Sequence, residues 1–392
     1  VAQFPLFRDL RFDQVAIAAA ATLREVRLPR AFGGLDLSDG ALTLQLDKSL
    51  MKVKGDVRLA GVPAKLAWTE NFDQGAGFRR RYQVQMTADD RVRARTGLDF
   101  GARLRGPVAA DLIFTEIDDK ISDLSLALNL SRAAISLPEI GWSKAAGKDG
   151  LARLSVSFTQ GGAVTVRDFT ITAGDLKATG NAVLAAGGLG IKRIHFTRLA
   201  FANNDISATL AATPGGGYEI NIKGLVLDAE PYIGLDKGAG LPPLRLVFDL
   251  KRLRLGADRY LSEVSGSLIH DGEKSRSVIL DARVGKGKRF RVRLRPEGKG
   301  RKLLIQSDDA GSTFRAFDIT DNVMGGRLQV KAAYDDTLPD RPLKGRVLVS
   351  RYRLTKAPVL AELLAIASVT GIPDLLSGPG IGFGRLVAPF TL

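Results

Sequence analysis

The chain has 392 residues, of which 57 are Lys or Arg and 42 are Asp or Glu, so its formal net charge is +15. Hydrophobic residues make up 45% and charged residues 25%, which excludes wholesale disorder. Because cysteine is absent, disulfides and thiolate chemistry are also excluded. The basic balance indicates either an anionic partner (a phospholipid surface, lipopolysaccharide or nucleic acid) or a solvated basic surface without a partner.

Residues 1–40 are predicted to form an N-terminal segment of mixed structure. Within it, the alanine-rich stretch 12–26 fits a short helix and a pair of strands equally well. The first residue is Val1, no signal peptide is visible, and no apolar run reaches the ~20 residues that span a bilayer. Because residues 388–392 have the pattern of a strand that is cut short, we expect the chain to be a fragment of a longer protein.

Apolar and polar residues alternate through residues 41–305. Successive strand side chains point to opposite faces, so each alternating segment offers one apolar and one polar face. This pattern is typical of antiparallel strands with one solvated side, and we predict a β meander with one apolar face. Eleven alternating positions are predicted to lie on that face: Leu42, Leu44, Leu46, Val57, Leu59, Leu124, Leu126, Leu128, Phe290, Val292 and Leu294.

Turn residues separate the alternating segments. Gly, Asn and Asp tolerate the positive φ of hairpin turns, and they cluster at 39–40, 161–162, 203–205, 215–217, 271–272 and 285–287. The predicted fold class is therefore mainly β, an elongated, curled antiparallel sheet of repeat type with few short helices. If about 25 strands stack at ~4.8 Å, such a sheet extends on the order of 120 Å.

One clear helix is predicted near the C-terminus, over about residues 358–370. It follows Pro358, contains a single charge at Glu362, and ends before Gly371 and Pro373. It is too short to span a membrane. A helix this apolar must bury most of its surface, either against the sheet or in lipid.

Residues suited to catalysis are scarce. Of the two histidines, His195 lies opposite the apolar positions of a predicted strand and His270 precedes a turn. The chain has no phosphate-loop or dinucleotide-binding motif. Acidic pairs such as 118–119, 308–309 and 335–336 fall in predicted loops without calcium-loop spacing. We therefore predict no enzyme, no catalytic residue, no metal site and no cofactor.

Basic clusters occur at residues 79–81 and at Arg289, Arg291, Arg293 and Arg295, which alternate along one predicted strand. A solvated face that keeps the sheet soluble and discourages edge pairing explains such a row. Nucleic-acid binding would require interleaved aromatic residues, which are absent from these faces. Anionic lipid head groups are the better-matched partner, and nucleic acid is disfavoured.

Residues 306–392 carry a recognisable set of motifs, at 314–328, 343–347, 357–364, 368–376 and 378–383. They comprise a glycine turn, an apolar helix and a re-entering strand. This region resembles the C-terminal region of AsmA-like proteins, nearest the YhdP-like branch of Gram-negative bacteria. Residues 55–142 resemble the same branch more loosely.

The resemblance implies a function that composition does not show. AsmA-like proteins are anchored in the inner membrane and project into the periplasm, where a curled sheet encloses an apolar groove. They are similar to bridge-like lipid transfer proteins and are implicated in moving phospholipid towards the outer membrane. The resemblance implies that residues 41–305 of this chain form a periplasmic groove for phospholipid acyl chains, lined by the eleven alternating apolar residues. It also implies a tether to the inner membrane and contact with other envelope proteins.

Two alternatives stay open at this stage. The apolar faces of the strands could close on one another as a sandwich or barrel, which periodicity does not distinguish from an open groove. The chain could instead be a non-enzymatic envelope assembly scaffold that binds client proteins through sheet edges, as in the related TamB-like proteins.

Overall fold

The computed structural model describes residues 2–3, 16–32, 35–73, 75–95, 99–162, 164–185, 190–232, 241–355 and 380–392. Strands account for 70% of it and helical residues for 7%, and its long sheet is not closed. The predicted fold class, mainly β with an open antiparallel sheet and few short helices, is confirmed. The chain divides into two compact units, Val1–Ala202 and Asn203–Leu392.

Fifteen strands and one short helix make up the described part of the first unit. The helix is α1 (Asp90–Arg95), and 3-10 turns occur at Gly101–Arg103 and Pro138–Ile140. The strands are β1 (Ala2–Gln3), β2 (Ala16–Phe32), β3 (Leu35–Asp47), β4 (Leu50–Leu59), β5 (Val62–Asn71), β6 (Arg80–Ala88), β7 (Leu104–Arg105), β8 (Val108–Glu116), β9 (Ile121–Asn129), β10 (Ala134–Leu137), β11 (Trp142–Lys144), β12 (Gly150–Thr159), β13 (Val164–Ala173), β14 (Leu176–Leu184) and β15 (Ile191–Phe201).

The main sheet of the first unit is an antiparallel meander. Strands β1 to β6, β8, β9 and β12 to β15 each pair with the next strand of this series. Strands β7, β10 and β11 come from the β6–β8 and β9–β12 connections and form a separate three-stranded sheet. Ala88 lies opposite Val108, and Ala109 opposite Asn129, so both connections leave the same end of the main sheet.

Ten strands and one helix make up the described part of the second unit. The helix is α2 (Ala310–Ala316), and a 3-10 turn occurs at Glu230–Tyr232. The strands are β16 (Asn204–Ala212), β17 (Tyr218–Asp228), β18 (Leu244–Gly256), β19 (Arg259–His270), β20 (Ser275–Val284), β21 (Lys288–Glu297), β22 (Gly300–Ser307), β23 (Val323–Tyr334), β24 (Leu343–Leu354) and β25 (Ile381–Thr391).

Strands β16 to β25 also pair in chain order, and one pair departs from the antiparallel rule. Strands β17 and β18 are parallel, with Tyr218 opposite Leu244. A parallel pair requires its connection to return along the whole strand, which a hairpin turn does not achieve. The connection consists of residues 229–243, of which 233–240 lie outside the described part.

Most predicted turns join successive strands, and one does not. Asp39 and Gly40 lie inside β3, where the register against β4 shifts between Ser38 and Ala41. Asp39 has a φ of 51°. The expected hairpin is therefore a β-bulge, because Asp and Gly at positive φ suit a bulge as well as a turn. The ambiguity over residues 12–26 is settled as strand from Ala16 onward.

The predicted divisions at 40/41 and 305/306 fall inside β3 and β22, and the compact units separate at 202/203 instead. The boundary at 202/203 is a short turn like many others between the strands, so the local pattern carries no signal of where a compact unit ends. The predicted helix over 358–370 lies outside the described residues. Among the helices that are described, none combines the length and apolar character needed to cross a membrane.

Candidate functional site

The main sheet of the first unit carries apolar rows that run across its strands. Directly opposed residues on neighbouring strands point to the same face, so cross-strand partners form such rows. One row crosses ten strands through Leu42, Gly55, Leu66, Val84, Leu112, Leu126, Leu154, Phe169, Gly180 and Phe196. The next row consists of Leu44, Val53, Trp68, Tyr82, Phe114, Leu124, Val156, Val166, Ala182 and Ile194. No charged or amide side chain interrupts either row.

The second unit repeats this arrangement over its own ten strands. One row consists of Ala208, Ile222, Phe248, Gly266, Leu280, Val292, Ile305, Val330, Val347 and Ala388. Every residue of this row is partly exposed. An apolar row that is exposed along its whole length is a surface open to an apolar ligand.

The apolar side chains pack sideways along the sheet. In the first unit, the cluster containing Leu42, Val53 and Val84 joins residues of neighbouring strands, as does the cluster containing Val156 and Phe169. This lateral packing buries the lower part of each side chain. The upper parts are left to whatever lies on that face.

The eleven residues predicted to line the groove all lie on these apolar faces. Leu42 and Leu126 share one row, and Leu44 and Leu124 share the next. The remaining four residues of the first unit lie on the same face: Leu46, Val57, Leu59 and Leu128. In the second unit, Val292 and Leu294 occupy adjacent rows, and Phe290 lies on the same face. Five of the eleven are buried and six are partly exposed: Leu44, Leu46, Leu124, Leu126, Leu128 and Val292. Their role in binding lipid stays a prediction.

Aromatic residues on the apolar face were missed by the sequence reasoning. Trp68 stacks on Tyr82, Phe114 meets Phe158 edge-on across β9, and burial raises the pKa of Tyr82. Phe169 contacts Phe196 in the same way. Alternation in β5 was enough to find Trp68. The register shift between Val166 and Phe169 hides Phe169, because the bulge breaks the period of two.

One margin of the apolar face in the first unit is covered by the small three-stranded sheet. Trp142 of that sheet packs with Ala173, Leu176 and Phe201, and its Nε1 donates to Asp175 Oδ1 at 2.8 Å. This bond holds the pKa of Asp175 below its ordinary value. The cover is therefore anchored by both apolar contacts and a partly buried hydrogen bond.

A second anchor of this cover is a buried lysine. Lys144 Nζ donates to the carbonyl oxygens of Ala133, Ala145 and Lys148 at 2.8, 3.1 and 2.9 Å. Burial lowers the pKa of Lys144. All three donors of the ammonium are used, so this lysine ties the cover together and offers no donor to a ligand.

The opposite margin of the same face is charged. Arg80 Nε donates to Glu70 Oε1 at 2.9 Å, and its Nη1 lies 3.4 Å from Glu116 Oε2. The hydrogen bond that Arg80 donates to Glu70 raises the pKa of Arg80. In the adjacent apolar row, Trp68 Nε1 is buried without a hydrogen-bond partner among the described residues. The stacked pair Trp68–Tyr82 therefore lies in one row, and the ion pairs of Arg80 lie in the next row towards the margin.

In the second unit the covered margin is formed by α2. Asp309 caps this helix by accepting from the Ser312 backbone N–H at 2.9 Å, which is the role of a helix N-cap rather than of a plain loop residue. Ala310 and Phe314 pack onto the cluster that contains Val349 and other residues of β23 to β25. Helix α2 therefore covers only one end of the strands.

The other margin of the second unit holds a buried ion cluster. Arg301 donates from Nε to both carboxylate oxygens of Asp336, at 3.1 and 2.9 Å, and from Nη1 to the Ser275 carbonyl at 2.8 Å. Lys274 Nζ lies 3.3 Å from Asp336 Oδ2, and the Tyr334 ring lies 4.0 Å from the guanidinium carbon. The Arg301 side chain is 6% exposed and that of Asp336 is 7% exposed. Asp336 was predicted as an ordinary loop residue; its contacts instead close this edge of the apolar face.

Features suited to catalysis or metal binding do not converge. His195 faces away from the apolar rows, and His270 Nδ1 accepts from the Gly272 N–H at 3.0 Å. Within the ranges described, no group of three or more His, Asp or Glu side chains could hold a metal ion. A cavity of about 870 Å³ is lined by residues of β4 to β6, β8, β9 and β12, most of them outward-facing ones such as Lys65 and Asp111. Val57 and Leu128 of the predicted groove set also border it.

Comparisons with known proteins leave the family open. No family model matches the chain, and neither a curated protein nor a solved structure matches it. The resemblance to AsmA-like proteins therefore stays a prediction.

Proposed function

We propose that this chain binds phospholipid acyl chains along the apolar rows of its sheets and serves as part of a lipid-conducting groove between the inner and outer membranes. The carrying observation is that each unit presents apolar rows ten strands long without a charged side chain. A sheet with one apolar face has to cover it with a second layer or with a ligand.

The dimensions suit acyl chains. Nine steps of about 4.8 Å between neighbouring strands carry each row over about 43 Å. The hydrocarbon core of a bilayer is about 30 Å thick, so a single acyl chain reaches about half of that. Each row can therefore hold successive acyl chains end to end, as a conduit requires.

The energy of such binding comes from the apolar surface itself. Each methylene removed from water contributes about 0.8 kcal/mol, so about ten buried methylenes contribute about 8 kcal/mol before the cost of ordering the chain. No specific polar pocket is needed. A groove that binds by area alone accepts different acyl chains, and it lets them move from strand to strand.

The charged margins give the head groups a place beside the rows. In the first unit the Glu70–Arg80–Glu116 edge lies next to Trp68, whose Nε1 is a donor without a partner in the described part of the chain. Because that nitrogen has almost no accessible surface, the partly exposed Arg80 is the group at this edge that a head-group phosphate would contact.

The first test is mass spectrometry of organic extracts of the purified chain, with a mock purification as the control. Phospholipid enriched well above the control is expected. Absence of enrichment from a folded, detergent-free sample would refute the proposal and favour the scaffold that binds clients through sheet edges.

The matched variants are Leu126→Asp and Ser125→Asp. Leu126 points onto the apolar face between Leu112 and Leu154, whereas Ser125 is its exposed neighbour on the outward face. Leu126→Asp is expected to lower the bound phospholipid at least tenfold with the sheet intact, because a carboxylate resists burial against acyl chains. Ser125→Asp should leave lipid content unchanged. Global unfolding of Leu126→Asp, judged by circular dichroism, would instead indicate a closed core.

A further inference from the structure

On the outward face of the last three strands, every charged residue is basic. Strands β23, β24 and β25 contain seven Lys and Arg residues and no Asp or Glu. All seven are exposed on the face opposite the apolar rows: Arg327, Lys331, Lys344, Arg346, Arg351, Arg353 and Arg385. We call this surface the basic face.

The charges of the basic face are not neutralised by ion pairs among the described residues. The arginines of β21 differ, since Arg289 pairs with Asp308, and both Arg291 and Arg293 pair with Asp281. These two carboxylates partly neutralise the row, which also contains Arg295. The basic face keeps its positive potential for an external partner.

Two cations on the basic face are placed directly opposite each other. Lys331 of β23 is the cross-strand partner of Arg346 of β24. Like charges at opposed positions destabilise a sheet. The arrangement is unfavourable for the isolated protein, and an anionic partner that contacts both side chains removes the repulsion.

Aliphatic side chains lie among these cations. Leu348 of β24 is opposite Val387 of β25, which is 48% exposed. A surface that combines spread-out positive charge with exposed aliphatic groups matches the interface of an anionic bilayer, where both kinds of group find partners. No aromatic side chain that could stack on nucleic-acid bases occupies an outward position of these strands. The four aromatic residues of these strands all point to the apolar side: Tyr334, Tyr352, Phe383 and Phe390.

We propose that the basic face docks onto the anionic head-group surface of a lipid bilayer. The charges are spread along three strands instead of surrounding one cavity, as contact with many separate head groups requires. This inference concerns the side of the sheet opposite the apolar rows, so it stands or falls independently of lipid binding on those rows.

The test is cosedimentation of the whole chain with vesicles. One set consists of phosphatidylcholine, and the other of equal parts phosphatidylcholine and phosphatidylglycerol. The chain is expected to bind the anionic vesicles, and binding should fall as salt is added. Each basic residue near an anionic surface is worth about a fivefold change in affinity, so Lys331→Gln with Arg346→Gln should weaken binding roughly 25-fold.

The matched control is Lys52→Gln with Lys54→Gln, which removes the same charge from exposed outward positions of β4. It should change binding less than twofold. An equal loss in both double variants would mean that only the net charge matters and would overturn the proposal. Tighter binding to double-stranded DNA than to the anionic vesicles, lost in the same variant, would also overturn it.

Measurements of thermal stability and of lipid content distinguish a loss of vesicle binding from a loss of folding or of lipid on the apolar rows. Removing the Lys331–Arg346 repulsion should leave the thermal midpoint equal or raise it. A second double variant, Arg327→Gln with Arg385→Gln, should reproduce the loss of vesicle binding. The amount of phospholipid extracted from either variant should match that from the unmodified chain, since the apolar rows are unchanged. Unchanged vesicle binding by both variants would refute the basic face as the docking surface.

Discussion

The two units build the same apolar rows but cover them with different elements. In the first unit several row residues are fully buried, and Val84 is only 2% exposed. In the second unit the row from Ala208 to Ala388 is partly exposed at every position, whereas Leu250 and Val349 of neighbouring rows are 2% and 1% exposed. Among the described residues, a three-stranded sheet with its own apolar clusters covers part of the first unit, and a helix of seven residues covers part of the second. Equal periodicity thus produces unequal access from row to row, because access depends on the connections between strands.

The outward faces differ as strongly as the covers. Strands β3 to β5 of the first unit contain four basic and five acidic residues, and Arg58 and Lys65 lie near Asp39 and Asp56. Strands β23 to β25 of the second unit contain seven basic residues and no acidic one. Outward positions are free to vary in charge because they do not contribute to the apolar face. One fold can therefore carry a neutral surface and a docking surface.

The largest predicted effect concerns the covers. Trp142→Ala should lower the free energy of unfolding by about 4 kcal/mol, because it empties a buried site and removes one of the two hydrogen-bond donors to Asp175. Phe314→Ala in α2 should cost about 2 kcal/mol, since Phe314 is only partly buried. Urea denaturation measures both, and Trp68, the remaining tryptophan, reports on the first unit. Equal costs would mean that the two covers are equally tight.

The next largest predicted effect is a difference in stability cost between variants at the two charged margins. Arg301→Met should cost about 3 kcal/mol, because it leaves the buried carboxylate of Asp336 with Lys274 alone. Arg80→Met should cost less than about 1 kcal/mol, since that side chain is 36% exposed. Urea denaturation followed by circular dichroism compares the two. A larger cost for Arg80→Met would contradict the view that the second unit has the tighter margin.

The smallest effect is a dependence on pH. The hydrogen bonds from Arg301 hold the pKa of Asp336 below its ordinary value of 3.8. Because the folded-state pKa is the lower one, this stabilisation is fully present above pH 3.8 and is lost as the pH falls through the folded-state pKa. Thermal midpoints measured from pH 6 downward should therefore fall less steeply in Asp336→Asn than in the unmodified chain. Parallel curves would show that Asp336 is not the titrating group.

Sequence reasoning found the strands and their apolar sides, and it failed where the period of two is broken. Leu42, Leu126 and Val292 were placed on an apolar face from alternation alone. The bulge at Asp39 was taken for a turn, and Phe169 was missed beyond another bulge. The ion pair between Arg301 and Asp336 was not foreseen, since the two residues are 35 positions apart and neither belongs to a motif.

The amino-acid sequence by itself determined that this chain forms antiparallel strands with one apolar and one polar face, because strand geometry sends alternate side chains to opposite sides. It also determined the order of the sheet, since short turns make consecutive strands neighbours. Only the tertiary structure decided the parallel β17–β18 pair, the two covers and the closing of the margins. These depend on long connections and on contacts between distant residues, which a local pattern does not encode.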